Sequence, residues 1–152
     1  MTIEIANPTD RPVDVAALQR LAEHLLAALR VHPESELSVV FVGPDEMAAL
    51  HEQWMDEPGP TDVMSFPMDE LTPTPEGVEP EPGVLGDIVI CWEVAEQQAA
   101  TAGHPPSAEV ELLLTHGLLH LLGYDHAEPE EERAMFALQS ELLASWRGSE
   151  QR

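Results

Sequence analysis

The chain has 152 residues, with 29 acidic against 6 basic side chains and a net charge of −23 at pH 7. That length suits one domain, residues 1–152, with a real core; the charge argues against non-specific nucleic-acid binding, and no DNA partner is expected. Screening beyond roughly 8 Å still leaves room for a local site. No apolar run approaches a membrane span, and Met1-Thr2-Ile3-Glu4-Ile5 has neither a basic region nor a signal-type apolar block. A cytoplasmic protein is therefore expected. Cys91 is the single cysteine, which agrees with a reducing compartment and reads as a small buried hydrophobe.

Thr2 to Ala6 alternates as a first strand. Asp14 is an N-cap candidate for a helix to about Val31, with Leu18, Leu21, Leu25 and Leu29 as its buried stripe. Glu36 to Val42 is rich in β-branched residues and reads as a second strand. Gly43-Pro44-Asp45-Glu46 then starts a short helix with Met47, Leu50 and Trp54 on one face. Val63 to Phe66 is a third strand ended by Pro67. Met68 to Gly83 mixes prolines with acids and reads as a mobile loop. Val84 to Cys91 resumes as a strand, in which Gly86-Asp87 signals a bulge or a close backbone approach.

Glu93 to Ala102 reads as a helix stopped by Gly103, and Pro105-Pro106-Ser107 leads into a strongly apolar helix, Ala108 to Leu122. A last helix starts at Pro129, buries Met135, Leu138, Leu142 and Trp146, and is closed by Gly148. The order predicts an α+β fold: a small mixed sheet of about four strands, about five helices, and a metal-bearing helix at the centre.

The metal assignment rests on His116, His120 and His126. Two imidazoles four residues apart on a helix stand about 40° apart and roughly 6 Å along its axis, so they can close on one ion. Gly123 accepts the left-handed backbone that ends a helix, and the chain can then return His126 to the same ion. Three neutral nitrogens suit Zn²⁺ and leave a fourth position open for water. Zinc-protease helices share these offsets, but their general-base Glu is here Gly117, which weakens peptide hydrolysis. Asp125 reads as a turn cap or as an acceptor for a ligand's N–H. Asp62 and Ser65 are candidates for lining the cleft, or equally for local caps. No residue beyond the metal ligands is singled out as a catalyst.

The segments His116-Gly117-Leu118-Leu119-His120-Leu121-Leu122-Gly123-Tyr124-Asp125-His126, Pro60-Thr61-Asp62-Val63-Met64-Ser65-Phe66 and Leu85-Gly86-Asp87-Ile88-Val89-Ile90 together resemble the YbeY family of rRNA-maturation metalloproteins. The resemblance implies a zinc-dependent, single-strand-specific endoribonuclease. It would act in 16S rRNA 3′-end maturation and ribosome quality control on the small ribosomal subunit, with one Zn²⁺ per chain. Where that family commonly has an Arg before the second segment, this chain has Met55. A cation that could stabilise a phosphorane-like transition state is therefore missing there. The alternative expectation is a non-catalytic ribosome-assembly factor with a structural zinc, docking its acidic surface on a basic ribosomal protein.

Overall fold

In the computed structural model, which describes residues 2–125 and 127–150, the elements are β1 (Thr2–Ala6), α1 (Val15–Ala28), β2 (Glu36–Val42), α2 (Pro44–Met55), β3 (Val63–Pro67), β4 (Val84–Cys91), α3 (Trp92–Ala102), α4 (Pro106–Leu121) and α5 (Pro129–Glu150). The α+β order expected from the sequence is present. One mixed sheet runs β1-β2-β4-β3. β2 pairs parallel with both β1 and β4, and β3 forms an edge antiparallel to β4. No described helix is long and apolar enough to cross a membrane.

The sheet has a large core on one face and a small one on the other. In β2, Leu37, Val39 and Phe41 join Leu21, Leu25 and Leu118 in the large core, while Val42 packs with Met47 of α2 in the small one, as the two-residue period of a strand requires. β4 breaks that period. Leu85 and Ile88, three apart, share the large core, whereas Val89 and Cys91 face the small one. Glu36 pairs with Val84 but Leu37 pairs with Gly86, so Leu85 is an extra residue. Gly86 has φ 137°, and a Cβ there would stand 2.2 Å from the Phe66 carbonyl oxygen. The bulge and the close approach expected at Gly86-Asp87 are thus both present.

α4 touches β3, β4, α1, α3 and α5, which makes it the central helix. Between Leu113 and Leu121 every residue is buried except His116 and His120, which are half-buried. The helix ends as Gly123 predicts. That residue is left-handed at φ 95°, its N–H donates to His120 O at 3.0 Å, and Tyr124 N–H donates to Leu119 O at 3.0 Å. This pair of bonds satisfies the last carbonyls of the helix.

Two details differ from expectation. The small core stops before Trp54, which is 60 % exposed and packs edge-on against Phe66 at 5.9 Å. α5 runs through Gly148 to Glu150, because Trp146 is buried and Glu150 pairs with Arg20 at 3.4 Å. The 68–83 segment has no helix or strand, as its composition leads one to expect. Asp69 Oδ2 accepts Val84 N–H at 2.7 Å, and the Arg30 guanidinium donates to Val78 O at 3.1 Å.

Candidate metal centre

His116 and His120 project from the half-buried stripe of α4 with their Nε2 atoms 3.1 Å apart. The rings cross at 80° with centroids 4.6 Å apart. Two nitrogens so close need a proton or a cation between them. On a tetrahedral Zn²⁺, with bonds of about 2.0–2.1 Å, two nitrogen ligands stand roughly 3.3 Å apart, so the pair fits such an ion with little movement. His116 Nδ1 lies 3.0 Å from Gln139 Oε1. An amide oxygen only accepts, so Nδ1 holds the proton and Nε2 presents its lone pair towards His120. Phe136 stacks on the His116 ring at 6.0 Å and 22°, which restrains the ring further.

Gln139 and Phe136 both come from α5, and the sequence reading missed them. A signal existed for Gln139. It lies on the buried stripe four residues after Met135 and three before Leu142, and it is 6 % exposed. A buried Gln on an apolar stripe asks for a polar partner.

The position after His116 explains the missing general base. A Cβ on Gly117 would meet Ile88 Cγ2 at 3.1 Å and Ser65 Oγ at 3.2 Å. The Ser65 hydroxyl donates to Gly117 O at 3.0 Å. α4 therefore lies directly against β3 and β4 at this turn, and any side chain here presses on Ile88 and Ser65. Ser65 serves as this tether and also lines the cleft.

The cleft is a cavity of about 640 Å³ whose walls include Met55, Asp62, Ser65, His116, His120 and Asp125. No Lys or Arg lines it among the described residues. Asp62 Oδ1 accepts the Val63 N–H at 2.7 Å and the Thr61 hydroxyl at 3.2 Å, so the turn-cap role is real and Oδ2 is the oxygen left for other work. His51 is a loop clamp rather than a ligand: Nδ1 contacts Gly59 O at 2.9 Å and Nε2 contacts Glu57 at 3.2 Å. Cys91 faces the small core, and burial pushes its thiol pKa up, which keeps it protonated and poor as a ligand.

The structure thus brings His116, His120, Asp62, Ser65 and Asp125 to one cavity. His126 lies outside the described residues. Among the described residues no group of three His, Cys, Asp or Glu side chains is placed to hold an ion.

A family model and the relatives matched in sequence agree on one family. The family model described as Endoribonuclease YbeY matches residues 4–147. Endoribonuclease YbeY of Thermobifida fusca (strain YX) is 60% identical over 149 residues, covering 98% of this chain and 96% of that protein. Endoribonuclease YbeY of Acidothermus cellulolyticus is 60% identical over 151 residues, covering 97% and 92%. The solution structure of TM1509 from Thermotoga maritima superposes with a TM-score of 0.60 at 25% identity, covering 97% of this chain and 93% of that one.

Proposed function

The chain belongs to the endoribonuclease YbeY family, and on that premise we propose that it hydrolyses single-stranded RNA with one Zn²⁺ held by His116, His120 and His126. Its place of work in this reading is the small ribosomal subunit in the cytoplasm, in 16S rRNA 3′-end maturation and ribosome quality control. The observation that carries the metal assignment is the 3.1 Å approach of two Nε2 atoms, one with its tautomer set by Gln139.

Bound there, Zn²⁺ would polarise a phosphoryl oxygen or lower the pKa of a water towards ~7. The protein's own groups do the positioning. Gln139 Oε1 keeps the proton on His116 Nδ1. The Ser65–Gly117 bond holds α4 against the edge strand, so the imidazoles face the cavity shared with Asp62. Asp62 Oδ2 is the carboxylate oxygen suited to take a proton from an attacking water.

The test is cleavage of an RNA spanning the 16S 3′ end, presented single-stranded and as a duplex, with chelator and with zinc restored. Cleavage of the single strand alone, lost with chelator and recovered with zinc, is expected. Cleavage of a peptide substrate instead would transfer the site to a metallopeptidase. The absence of Lys and Arg from the cavity walls among the described residues favours one second reading, an assembly factor with a structural zinc docked on a basic ribosomal protein. Full metal occupancy with no RNA cleavage would select it.

Gln139→Met keeps the side-chain volume and removes the acceptor. Zinc affinity should fall about 10–100-fold, read by competition with a coloured chelator. An unchanged affinity would show that the Gln139 contact does not set the ligand.

A further inference from the structure

We propose that Trp54 and Met55, at the end of α2, form a stacking surface for an unpaired nucleobase of the RNA strand that enters the neighbouring cavity. This rests on the RNA-cleaving assignment of that cavity. Trp54 is 60 % exposed and Met55 57 %, whereas Trp92 and Trp146 are each 6 % exposed. A large apolar surface left in water beside a polar cleft is a binding feature. Met55 is itself a wall of the cavity that holds His116 and His120, so the exposed surface and the site are continuous.

The surface is held in place. The Trp54 ring stands edge-on to Phe66 of β3 at 71°. Asp56 ends α2 in the left-handed region at φ 55°, with its N–H on Glu52 O at 3.1 Å. The loop after it is drawn back by the contacts of His51 to Gly59 O and to Glu57.

Charge selects the occupant. No Lys or Arg lines the cavity among the described residues. Among the described arginines, Arg11, Arg20 and Arg147 are engaged with Glu93, Glu150 and Glu111, Arg30 with Val78 O, and Arg133 lines a separate surface pocket with Glu128, Glu130 and Glu131. Asp56 and Glu57 follow the patch directly. Away from the proposed ion these walls repel phosphates, so the rest of the grip on a strand falls to its bases. An indole face and a thioether accept any base without a cation. The same surface would give a preference for single strands, since a base inside a duplex has no free face to offer.

The test compares a short single-stranded oligouridylate with an abasic oligomer of equal phosphate number. Both carry a fluorescent end label and are mixed with the zinc-loaded protein; affinity is read from the label's anisotropy and tryptophan quenching alongside it, in the first seconds. Trp54 is the exposed indole, so the oligouridylate should quench it and bind about ten-fold more tightly than the abasic strand. Trp54→Ala should bring the two affinities together, and Trp54→Phe should recover most of the difference without the quench. Equal binding of the two oligomers by the wild type, or full base preference in Trp54→Ala, would overturn the proposal. A patch that instead seats a protein segment gives no quench with either strand, which overturns it too. The same samples are run for cleavage products. Base-dependent quenching without cleavage removes the nuclease assignment and leaves the stacking surface. Cleavage with equal binding removes the stacking surface alone.

Discussion

Replacing Gly117 by Glu is expected to destabilise the protein severely and not to create a metallopeptidase. On paper the change restores the zinc-protease pattern around His116 and His120. In the fold, the new Cβ meets Ile88 Cγ2 at 3.1 Å and Ser65 Oγ at 3.2 Å. The carboxylate beyond it starts in a buried seam between α4 and the sheet, and no Lys or Arg lines the neighbouring cavity among the described residues. It also threatens the 3.0 Å bond from Ser65 to Gly117 O, worth about 1 kcal/mol. A buried, unpaired carboxylate adds several kcal/mol of desolvation cost. The expected loss is roughly 3–5 kcal/mol, or about 6–20 °C in Tm at ~2–4 °C per kcal/mol for a chain of this size. Gly117→Ala gains about 1 kcal/mol of helix propensity against a contact of a few tenths of an ångström, and should stay near wild type. Urea denaturation of both variants separates the cases. A Gly117→Glu protein as stable as wild type and active on peptide would refute the packing argument.

Gly86→Ala should be nearly as damaging, for a backbone reason. The added Cβ falls 2.2 Å from the Phe66 carbonyl oxygen and 3.0 Å from Pro67 Cα. Those are backbone atoms of β3, fixed by pairing with β4 from Val63 to Pro67, so no flexible side chain can move aside. The φ of 137° at Gly86 is itself a conformation that residues with a Cβ rarely adopt. Overpacking and backbone strain together should cost roughly 3–5 kcal/mol. Gly103→Ala is the control. Gly103 is also at positive φ, 80°, but nothing lies within 4 Å of its Cβ position, so it should lose only about 1 kcal/mol. Equal midpoints for the two variants in denaturant would contradict the close approach of β3 and β4. Because β3 also carries Ser65 and Asp62, Gly86→Ala should weaken the cleft along with the fold.

The parts of the molecule legible in its residues are those encoded locally. The alternation of β2, the leucine stripe of α1 and the positive-φ exit at Gly123 each follow from neighbouring side chains, and the observed elements match them. The bulge at Gly86 was signalled by a glycine inside a strand, although its close partner, Phe66 O, comes from another element. What was not legible depends on tertiary contact. Gln139 reaches His116 from 23 residues further along the chain, and Phe136 arrives with it on α5. Trp54 sits at helical spacing from Met47 and Leu50, yet spacing does not reveal where the small core ends. The pairing of His116 with His120 beside one cavity was legible as a set of residue types. The tautomer of His116, its restraint and the close packing at Gly117 emerge only when α4 is seen between α5 and the sheet.

The central claim is that His116 and His120 hold an ion on which RNA cleavage depends. The most direct measurement is bound zinc per chain, taken with single-stranded RNA cleavage on the same preparations of wild type and His120→Ala. One zinc per chain with cleavage in the wild type is expected, and in His120→Ala both should fall together to a small fraction. Undiminished RNA cleavage by a His120→Ala protein that has lost its zinc would contradict the account.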